Sequence, residues 1–280
     1  MLNDIKPDKF ADLVQIAGLS HGTDVWLNNA QRFIREGVAT IDSVICTRDD
    51  IMRYLIHKGF PSSDAFNIME CVRKGKGLTE DQENEMVTYD IPPWYIESCK
   101  LIKYMFPRAH AVAYVMMSYR IAYFKVYYPQ AFYAAYLTTK ITDFNWDVIS
   151  QGVYAVEQKM NEIAQKSDDS RTEKEKQEAV VYEVVYEMLS RGYEFYPPSL
   201  TESNAMSFSL DGDRVRVPLC ALDGVGASVG SMIVEQRAVR PYETVEDLSL
   251  RGKANKTAIE SLRKHGVLDG LPESDQISFF

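Results

Sequence analysis

The sequence is poor in cysteine and histidine, with four of each, and neither residue type is spaced as a metal site requires. No CxxC, HxxxH or mixed Cys/His ligand spacing occurs. A zinc site is therefore not expected, and the scattered cysteines fit reduced thiols better than a disulfide framework. The cysteines are Cys46, Cys71, Cys99 and Cys220, and the histidines are His21, His57, His110 and His265.

The chain also lacks a long uninterrupted apolar run. Its first ten residues have no apolar core of the kind that a signal peptide needs. The most apolar stretch, 109–137, contains Arg120, Lys125 and Pro129, so it does not read as a membrane span. We predict a soluble, cytoplasmic protein without a membrane partner, in which this stretch forms a buried helix whose aromatic side chains mostly pack in the core.

An excess of positive charge is absent as well. The chain has 31 basic and 40 acidic residues, and its net charge of −9 argues at first against a nucleic-acid surface. Residues 1–140 carry 16 charges of each sign, so the whole deficit lies in 141–280. Because binding depends on where the basic residues sit, a nucleic-acid partner stays open. A length of 280 residues is enough for two domains.

Hydrophobic spacing, end charges and Pro or Gly at segment ends predict a mainly α-helical chain. Predicted helices cover 24–36, 48–58, 63–73, a segment from Pro92 or Pro93 toward Pro107, and 111–128. After about Trp146 the composition changes, and 157–187 suggests two surface helices. Alternating residues around an Asp-Gly turn in 193–217 predict a hairpin. Two short helical units separated by Pro241 follow, and then a polar tail.

The motif SHGTD at 20–24 follows an apolar run and permits two interpretations. In the first, Gly22 supplies a turn and Thr23 caps a helix that begins at Asp24. In the second, the loop presents Ser20, His21 and free backbone N–H groups at a helix N-terminus, which favours anions.

Two further segments bring cations to sites where a phosphate would fit. In the loop RKGKG at 73–77, Arg73, Lys74 and Lys76 alternate with glycines, although no Walker pattern is present. It is either a phosphate-binding loop or a solvated end of a helix. Four cations lie in or beside the aromatic helix, where they either flank a phosphate path or form salt bridges. These are Arg108, His110, Arg120 and Lys125.

The segment Leu222-Asp223-Gly224-Val225-Gly226 has the pattern of a helix-hairpin-helix. The glycines permit a tight turn, and the amides of the next helix, near Ser228, can bind a DNA phosphate. A degenerate second copy is predicted at 255–271, near Arg263 and Lys264. Residues 212–265 hold nine basic and seven acidic residues, a local excess within an acidic half.

The sequence shows no paired carboxylates and no Ser/His/Asp arrangement that would indicate an active site. We therefore predict a binding unit without catalytic residues. The tail Gln276-Ile277-Ser278-Phe279-Phe280 places three apolar residues in a polar context, as a partner-binding peptide would.

These motifs together resemble the C-terminal part of the alpha subunit of PolC-type DNA polymerase III. The segments that carry the resemblance are GLSHGTDVW, RDDIM, VRKGKGLT, IKYMFPRAHAVAYVMMSYRIAYFKVYYP, LDGVG and QISFF. The resemblance covers essentially the whole chain. It implies a mainly α fold with helical fingers over 1–146, the end of the palm and fingers. A smaller α+β duplex-binding domain with a tandem helix-hairpin-helix and a short hairpin would span 147–270, and a flexible tail 271–280.

The resemblance also implies residue roles. Nucleotide-binding positions would be Ser20, His21, Gly22, Thr23, Arg48, Lys74, Lys76, His110 and Lys125. DNA-binding positions would be Arg73, Gly224, Val225, Gly226, Ser228, Arg263 and Lys264. Gln276, Ile277, Ser278, Phe279 and Phe280 resemble a peptide that binds the beta sliding clamp.

The partners so implied are primer-template and duplex DNA, a dNTP, the clamp and the N-terminal remainder of the polymerase. The family's catalytic aspartates and Mg²⁺ belong to that remainder, so this chain alone is expected to be inactive. Two other functions stay open: a stand-alone helix-hairpin-helix module of repair or recombination, and a helical adaptor.

Overall fold

In a computed structural model, which describes residues 1–274, the chain forms two compact units. The first is Met1–Arg120 and the second begins at Ile121. The boundary lies inside one long helix, α8 (Arg108–Tyr127). The mainly α class is confirmed, whereas the predicted domain boundary near residue 146 stays a prediction.

The first unit is helical and has its own apolar core. Its helices before α8 are α1 (Leu2–Ile5), α2 (Phe10–His21), α3 (Gln31–Arg35), α4 (Arg48–His57), α5 (Ser62–Arg73), α6 (Glu80–Thr88) and α7 (Pro93–Leu101). The side chains of Leu19, Ile51, Leu55, Ile68 and Ile102 are at most 1% exposed and form the centre of this core. Burial of such side chains, more than intrinsic helix propensity, stabilises these helices.

Three of the predicted helices are confirmed with small shifts, as α4, α5 and α8. The reason α4 begins at Arg48 is local: Asp50 accepts the backbone N–H of Thr47 at 2.7 Å in a capping box. The helix that opens at Pro93 ends at Leu101 instead of continuing toward Pro107.

The predicted helix over 24–36 is wrong. Only Gln31–Arg35 is α-helical, and residues 27–29 have non-helical backbone angles. The cause is the buried side chain of Asn29, which accepts the hydroxyl of Ser98 at 2.7 Å and also bonds a nearby backbone carbonyl. A buried amide must find partners, and satisfying it here takes priority over the helical ladder.

The second unit combines helices with a small sheet. Its remaining helices are α9 (Pro129–Thr139), α10 (Trp146–Ile149), α11 (Val153–Ala164), α12 (Glu173–Ser190), α13 (Ala227–Val239), α14 (Val245–Arg251) and α15 (Lys256–Lys264). Its core includes the fully buried Tyr133, Tyr182, Val215 and Leu262. The two predicted surface helices are α11 and α12, and the break at Pro241 separates α13 from α14.

Three short strands, β1 (Phe195–Tyr196), β2 (Ser209–Asp211) and β3 (Arg214–Arg216), form the sheet in the order β1-β3-β2. Leu210 pairs with Val215 in the antiparallel β2–β3 hairpin, and Gly212 turns it with a φ of +59°. The parallel pair aligns Phe195 with Val215. The hairpin predicted around the Asp-Gly turn is confirmed.

The prediction that the aromatic helix is buried is wrong. Among the residues of α8, only Ala111 is buried, whereas Tyr114, Met117 and Tyr127 are 59%, 61% and 66% exposed. The apolar residues of α8 lie on every face of the helix, so its sequence pattern did not indicate which face other elements would cover. Within residues 1–274, no helix is long and apolar enough to cross a membrane.

Candidate nucleic-acid interface

The SHGTD motif lies at the C-terminal end of α2, not at the start of a helix. The N–H of Gly22 donates to the carbonyl of Gly18 at 3.2 Å and ends α2. The N–H of Thr23 then donates to the carbonyl of Tyr104 at 2.9 Å, and the N–H of Lys103 donates back to Thr23 at 3.1 Å. Both interpretations of this loop as a helix start are therefore wrong. The assignment of Ser20, His21, Gly22 and Thr23 to nucleotide binding stays a prediction.

Gly22 is required where this loop meets residue 104. A Cβ at Gly22 would lie 2.4 Å from Cγ2 of Val25 and 2.9 Å from the carbonyl oxygen of Tyr104. Both distances are shorter than van der Waals contact allows. Any larger residue at this position would therefore push the loop away from residue 104.

The pairing of Thr23 with Tyr104 brings four rings into one row. The ring centroids of His21 and Phe106 are 5.7 Å apart, those of Phe106 and His110 are 4.9 Å apart, and those of His110 and Tyr114 are 4.4 Å apart. We call His21, Phe106, His110 and Tyr114 the ring row. Three of its members come from the aromatic segment that begins at Phe106. A surface of this kind can stack against a nucleobase.

Arg48 and the RKGKG loop reach the same segment. The backbone N–H of Arg48 donates to the carbonyl of Phe106 at 3.1 Å. Gly75 has a φ of +68°, and a Cβ there would lie 2.4 Å from the carbonyl oxygen of Lys103. Residues 103–108 are therefore where three separate sequence motifs meet.

The cations near residues 103–108 differ in whether an acidic side chain pairs with them. Glu70 accepts both Arg73 at 2.7 Å and Lys74 at 2.8 Å, and these hydrogen bonds lower the pKa of its carboxyl to about 2. Lys76 and Lys103 are exposed and have no ion pair within residues 1–274. The two lysines are therefore free to meet an anion, and Lys103 was missed because it belongs to no glycine-rich loop.

Two other predicted cations are held in ion pairs. The guanidinium of Arg108 lies 2.9 Å from Asp50, and its backbone N–H donates to Asp49 at 2.6 Å. Lys125 lies in the second unit, where its ammonium pairs with Glu187 at 2.5 Å and sits 5.3 Å from the ring of Phe132. For these two residues, the structure shows the salt-bridge alternative.

In the second unit, the glycine hairpin is formed as predicted. Gly224 has a φ of +90°, and the buried Val225 donates its N–H to Leu222 at 3.0 Å. Gly226 is the N-cap of α13, and a Cβ there would meet nothing within 4 Å. The element before the turn is a single 3-10 turn, Leu219–Ala221, so the first arm of the motif is short.

The start of α13 has no side-chain cap. The amides of Ala227, Ser228 and Val229 have no acceptor within the part of the chain that the structure describes. Ala227 and Ser228 are exposed. Unpaired amides and the helix dipole together make this end of α13 a place where a phosphate would be stabilised.

The second copy predicted at 255–271 stays a prediction. Just upstream, α14 and α15 flank a turn that includes Lys253, whose φ is +51°, and these elements form a second helix-turn-helix. Asn255 caps α15 by accepting the N–H of Ala258 at 2.9 Å. The two motifs are neighbours, because a Cβ at Gly224 would lie 3.0 Å from Cγ2 of Thr257.

The basic residues predicted for the second copy form ion pairs with acidic side chains. Arg263 pairs with Glu273 at 2.6 Å, and Lys264 pairs with Asp147 at 2.7 Å. Sequence reasoning missed Lys253, which is exposed and has no ion pair in the described range, and Lys256, which is 90% exposed and only 3.8 Å from Glu260. Their positions beside the turn were the available signal.

The predicted clamp-binding residues 276–280 lie outside the described residues. Within the described ones, no group of three or more His, Cys, Asp or Glu side chains is placed to hold a metal ion.

Comparisons with known proteins agree with this division. Residues 1–90 match the family model of the bacterial DNA polymerase III alpha subunit finger domain, and residues 192–276 match a helix-hairpin-helix motif. Over all 280 residues the chain is 52% identical to DNA polymerase III PolC-type of Clostridium perfringens and 50% identical to that of Thermotoga petrophila. The chain covers 19% and 20% of these relatives, so it spans about a fifth of their length.

Proposed function

Because this chain belongs to the PolC-type DNA polymerase III family, we propose that it is the part of a bacterial replicative polymerase that positions dNTP and template and grips product duplex. The first unit would serve the nucleotide and template, and the second would hold the duplex. Such a protein would work in the cytoplasm.

The first unit supports this proposal by bringing distant residues to one place. His21, Arg48 and His110 meet at residues 103–108, together with the loop that carries Lys74 and Lys76. Rings can stack on a base, and Lys76 and Lys103, which have no ion pair among the described residues, can neutralise a triphosphate. This contribution is positioning and charge neutralisation, while the carboxylates for chemistry come from elsewhere in a polymerase of this family.

The proposal that the second unit holds duplex DNA rests on the start of α13 at the hairpin, which has no side-chain cap among the described residues. The turn before it packs against Thr257 of α15, the helix that follows Lys253, so a DNA backbone that meets these amide donors would also run toward an ammonium. Contacts of this kind read no base sequence, as a replicative enzyme requires.

The test is duplex binding by the whole chain and by Gly226→Asp, in which a carboxylate stands where the phosphate would lie. Gly212→Asp is the control for the added charge, because Gly212 also has open space around it and lies in the β2–β3 turn; its φ of +59° strains the variant, so circular dichroism verifies that it is folded. We expect Gly226→Asp to lose at least tenfold in affinity and Gly212→Asp to keep it. Equal loss in both variants would refute the hairpin as the phosphate site.

The tail 276–280 would tether the polymerase to the sliding clamp. Tethering raises the local concentration of the enzyme at the primer end, so a modest affinity suffices. A stand-alone repair module is not favoured, since residues 1–90 match a polymerase finger domain.

A further inference from the structure

A groove of the second unit lies at the C-terminal end of α13. It has a volume of about 570 Å³, within the range of ligand-binding clefts. Its walls come from the loop 197–201, from Pro241 and Tyr242 after α13, and from residues 266–271. The lining residues within 1–274 do not include Gly224 or the first residues of α13, so this groove is separate from the proposed phosphate site.

The walls of this groove offer apolar surface that solvent can reach. Pro197 and Pro241 are exposed, and Leu200 and Leu271 are only partly buried. Apolar surface that is gathered in one cleft, instead of scattered singly, is typical of a site that another apolar group covers. We therefore expect an occupant with apolar side chains.

One cation of the groove has no acidic partner in the described part of the chain. Arg237 of α13 lines the groove, is half-buried and forms no ion pair within residues 1–274, whereas Arg216 is paired with Asp211. The guanidinium of Arg237 donates to the carbonyl of Leu200 at 2.8 Å, a neutral partner. Desolvation lowers the pKa of this guanidinium, the direction expected for a cation that no close acid neutralises. An occupant that brings a carboxylate would therefore be stabilised here.

The chain passes this groove just before the described residues end. Leu271 lines the groove and lies three residues before the last described residue. The carbonyls of Pro272 and Glu273 then accept the N–H groups of the first two residues of α14 at 2.9 and 3.0 Å. These bonds hold the chain close to Tyr242, a groove residue three positions before α14. Residues 275–280 therefore follow directly beside the groove, and at about 3.3 Å per residue they reach about 20 Å at most.

We infer that residues 275–280 dock in this groove while no sliding clamp is bound. Their sequence, DQISFF, contains three apolar side chains and one acid, Asp275, and no base, which matches the apolar walls and the charge of Arg237. Because segment and groove belong to one chain, the segment is present at a high local concentration, and weak contacts suffice.

Docking would regulate the proposed clamp contact, and this consequence rests on the proposed function. The same side chains cannot fill the groove and a pocket of the clamp at once, so the segment must leave the groove before the clamp binds it. A segment that is docked for about two thirds of the time lowers the apparent affinity for the clamp about threefold.

The first measurement needs no clamp. NMR spectra of the whole chain with labelled leucine methyl groups are compared with those of a double variant, Phe279→Ser with Phe280→Ser. Aromatic rings shift the resonances of methyl groups that they contact, so the signals of Leu200 and Leu271 should move in the variant. Leu250 is the control, because it is 74% exposed on α14 and does not line the groove, and its signal should stay in place.

The second measurement is the affinity of the whole chain for the sliding clamp. Thr201→Glu adds a carboxylate at the groove that would pair with Arg237 and repel Asp275, and Arg237→Gln removes the cation. Both variants should bind the clamp about threefold more tightly than wild type, because their segment is no longer held. Thr88→Glu makes the same change of charge at an exposed threonine of the first unit and should bind like wild type. Circular dichroism verifies that each variant is folded.

Signals of Leu200 and Leu271 that stay in place would overturn the inference, as would clamp affinities of both groove variants equal to that of wild type. Signals that return to the variant's positions on dilution of the wild-type chain would show that the segment of a second copy fills the groove, which also overturns docking within one chain. If no protein of the series binds the clamp, the proposed clamp contact fails, and the NMR comparison still decides whether the segment docks.

Discussion

The backbones of Thr23 and Tyr104 are hydrogen-bonded to each other in an isolated antiparallel bridge. This single bridge joins two segments that are distant in sequence and places His21 against Phe106. The ring row depends on it, because the bridge adds His21 to the three rings of the segment that begins at Phe106. The same region depends on close backbone approach at Gly75.

Substitution of Gly75 tests that close approach. Gly75→Ala should destabilise the first unit by about 2 kcal/mol or more, since the new Cβ would meet the carbonyl of Lys103 in addition to the strain of a positive φ. Gly77→Ala has a similar φ of +73° but open space around it, so it should cost only about 1 kcal/mol. Urea unfolding of the two variants measures the difference. Equal losses would mean that the contact with Lys103 does not matter.

Removing Lys253 and Lys256, the two exposed lysines at the turn between α14 and α15, should weaken the salt dependence of DNA binding. If Lys253 and Lys256 each neutralise a phosphate, the double alanine variant should lower the slope of log affinity against log salt by about 2. The slope is measured by titrating duplex DNA at several salt concentrations. A control double variant, Lys159→Ala with Lys174→Ala, removes the same charge from α11 and α12 and should leave the slope unchanged. If the slope also falls in the control variant, the change reflects the net charge of the chain and not contacts at Lys253 and Lys256.

Glu70 should contribute a pH-dependent part of stability. Its pKa is depressed to about 2 by hydrogen bonds from Arg73 and Lys74, against 4.5 for the free group. A depressed pKa means that the stabilisation is present above pH 4.5 and is lost as the pH falls toward 2. The difference in stability between wild type and Glu70→Gln should therefore shrink as the pH is lowered from 5 to 2.5. Thermal unfolding of both proteins across this range measures it. A gap independent of pH would rule out this role.

Deletion of 276–280 should abolish binding to the sliding clamp and leave duplex affinity unchanged, because the proposed duplex contacts lie at the hairpin. Surface plasmon resonance with immobilised clamp measures the first effect, and the duplex titration measures the second. Loss of both activities, or of neither, would contradict the assignment of the tail.

The local elements were predictable because their signals are local. Asp and Lys at opposite ends of α4, and Gly212 between β2 and β3, act through contacts a few residues away. The helix-hairpin-helix was also recognisable, because Gly224 has a positive φ that glycine adopts most easily, and Gly226 follows it at the spacing of the motif. The segment 24–36 misled the same reasoning, since the partner of Asn29 is Ser98, far along the chain.

The amino-acid order by itself predicted most of the helices and the glycine turn and indicated the family, because the signals for each lie in residues close together in the sequence. Tertiary structure alone decided which charges are free. Within residues 1–274, Lys76 and Lys103 have no ion pair while Arg108 and Lys125 are paired, since an ion pair depends on which acid the fold brings near. It also decided that α8 is exposed and that Leu200 and Leu271 share a groove, because burial is a property of the assembled chain and not of any one segment.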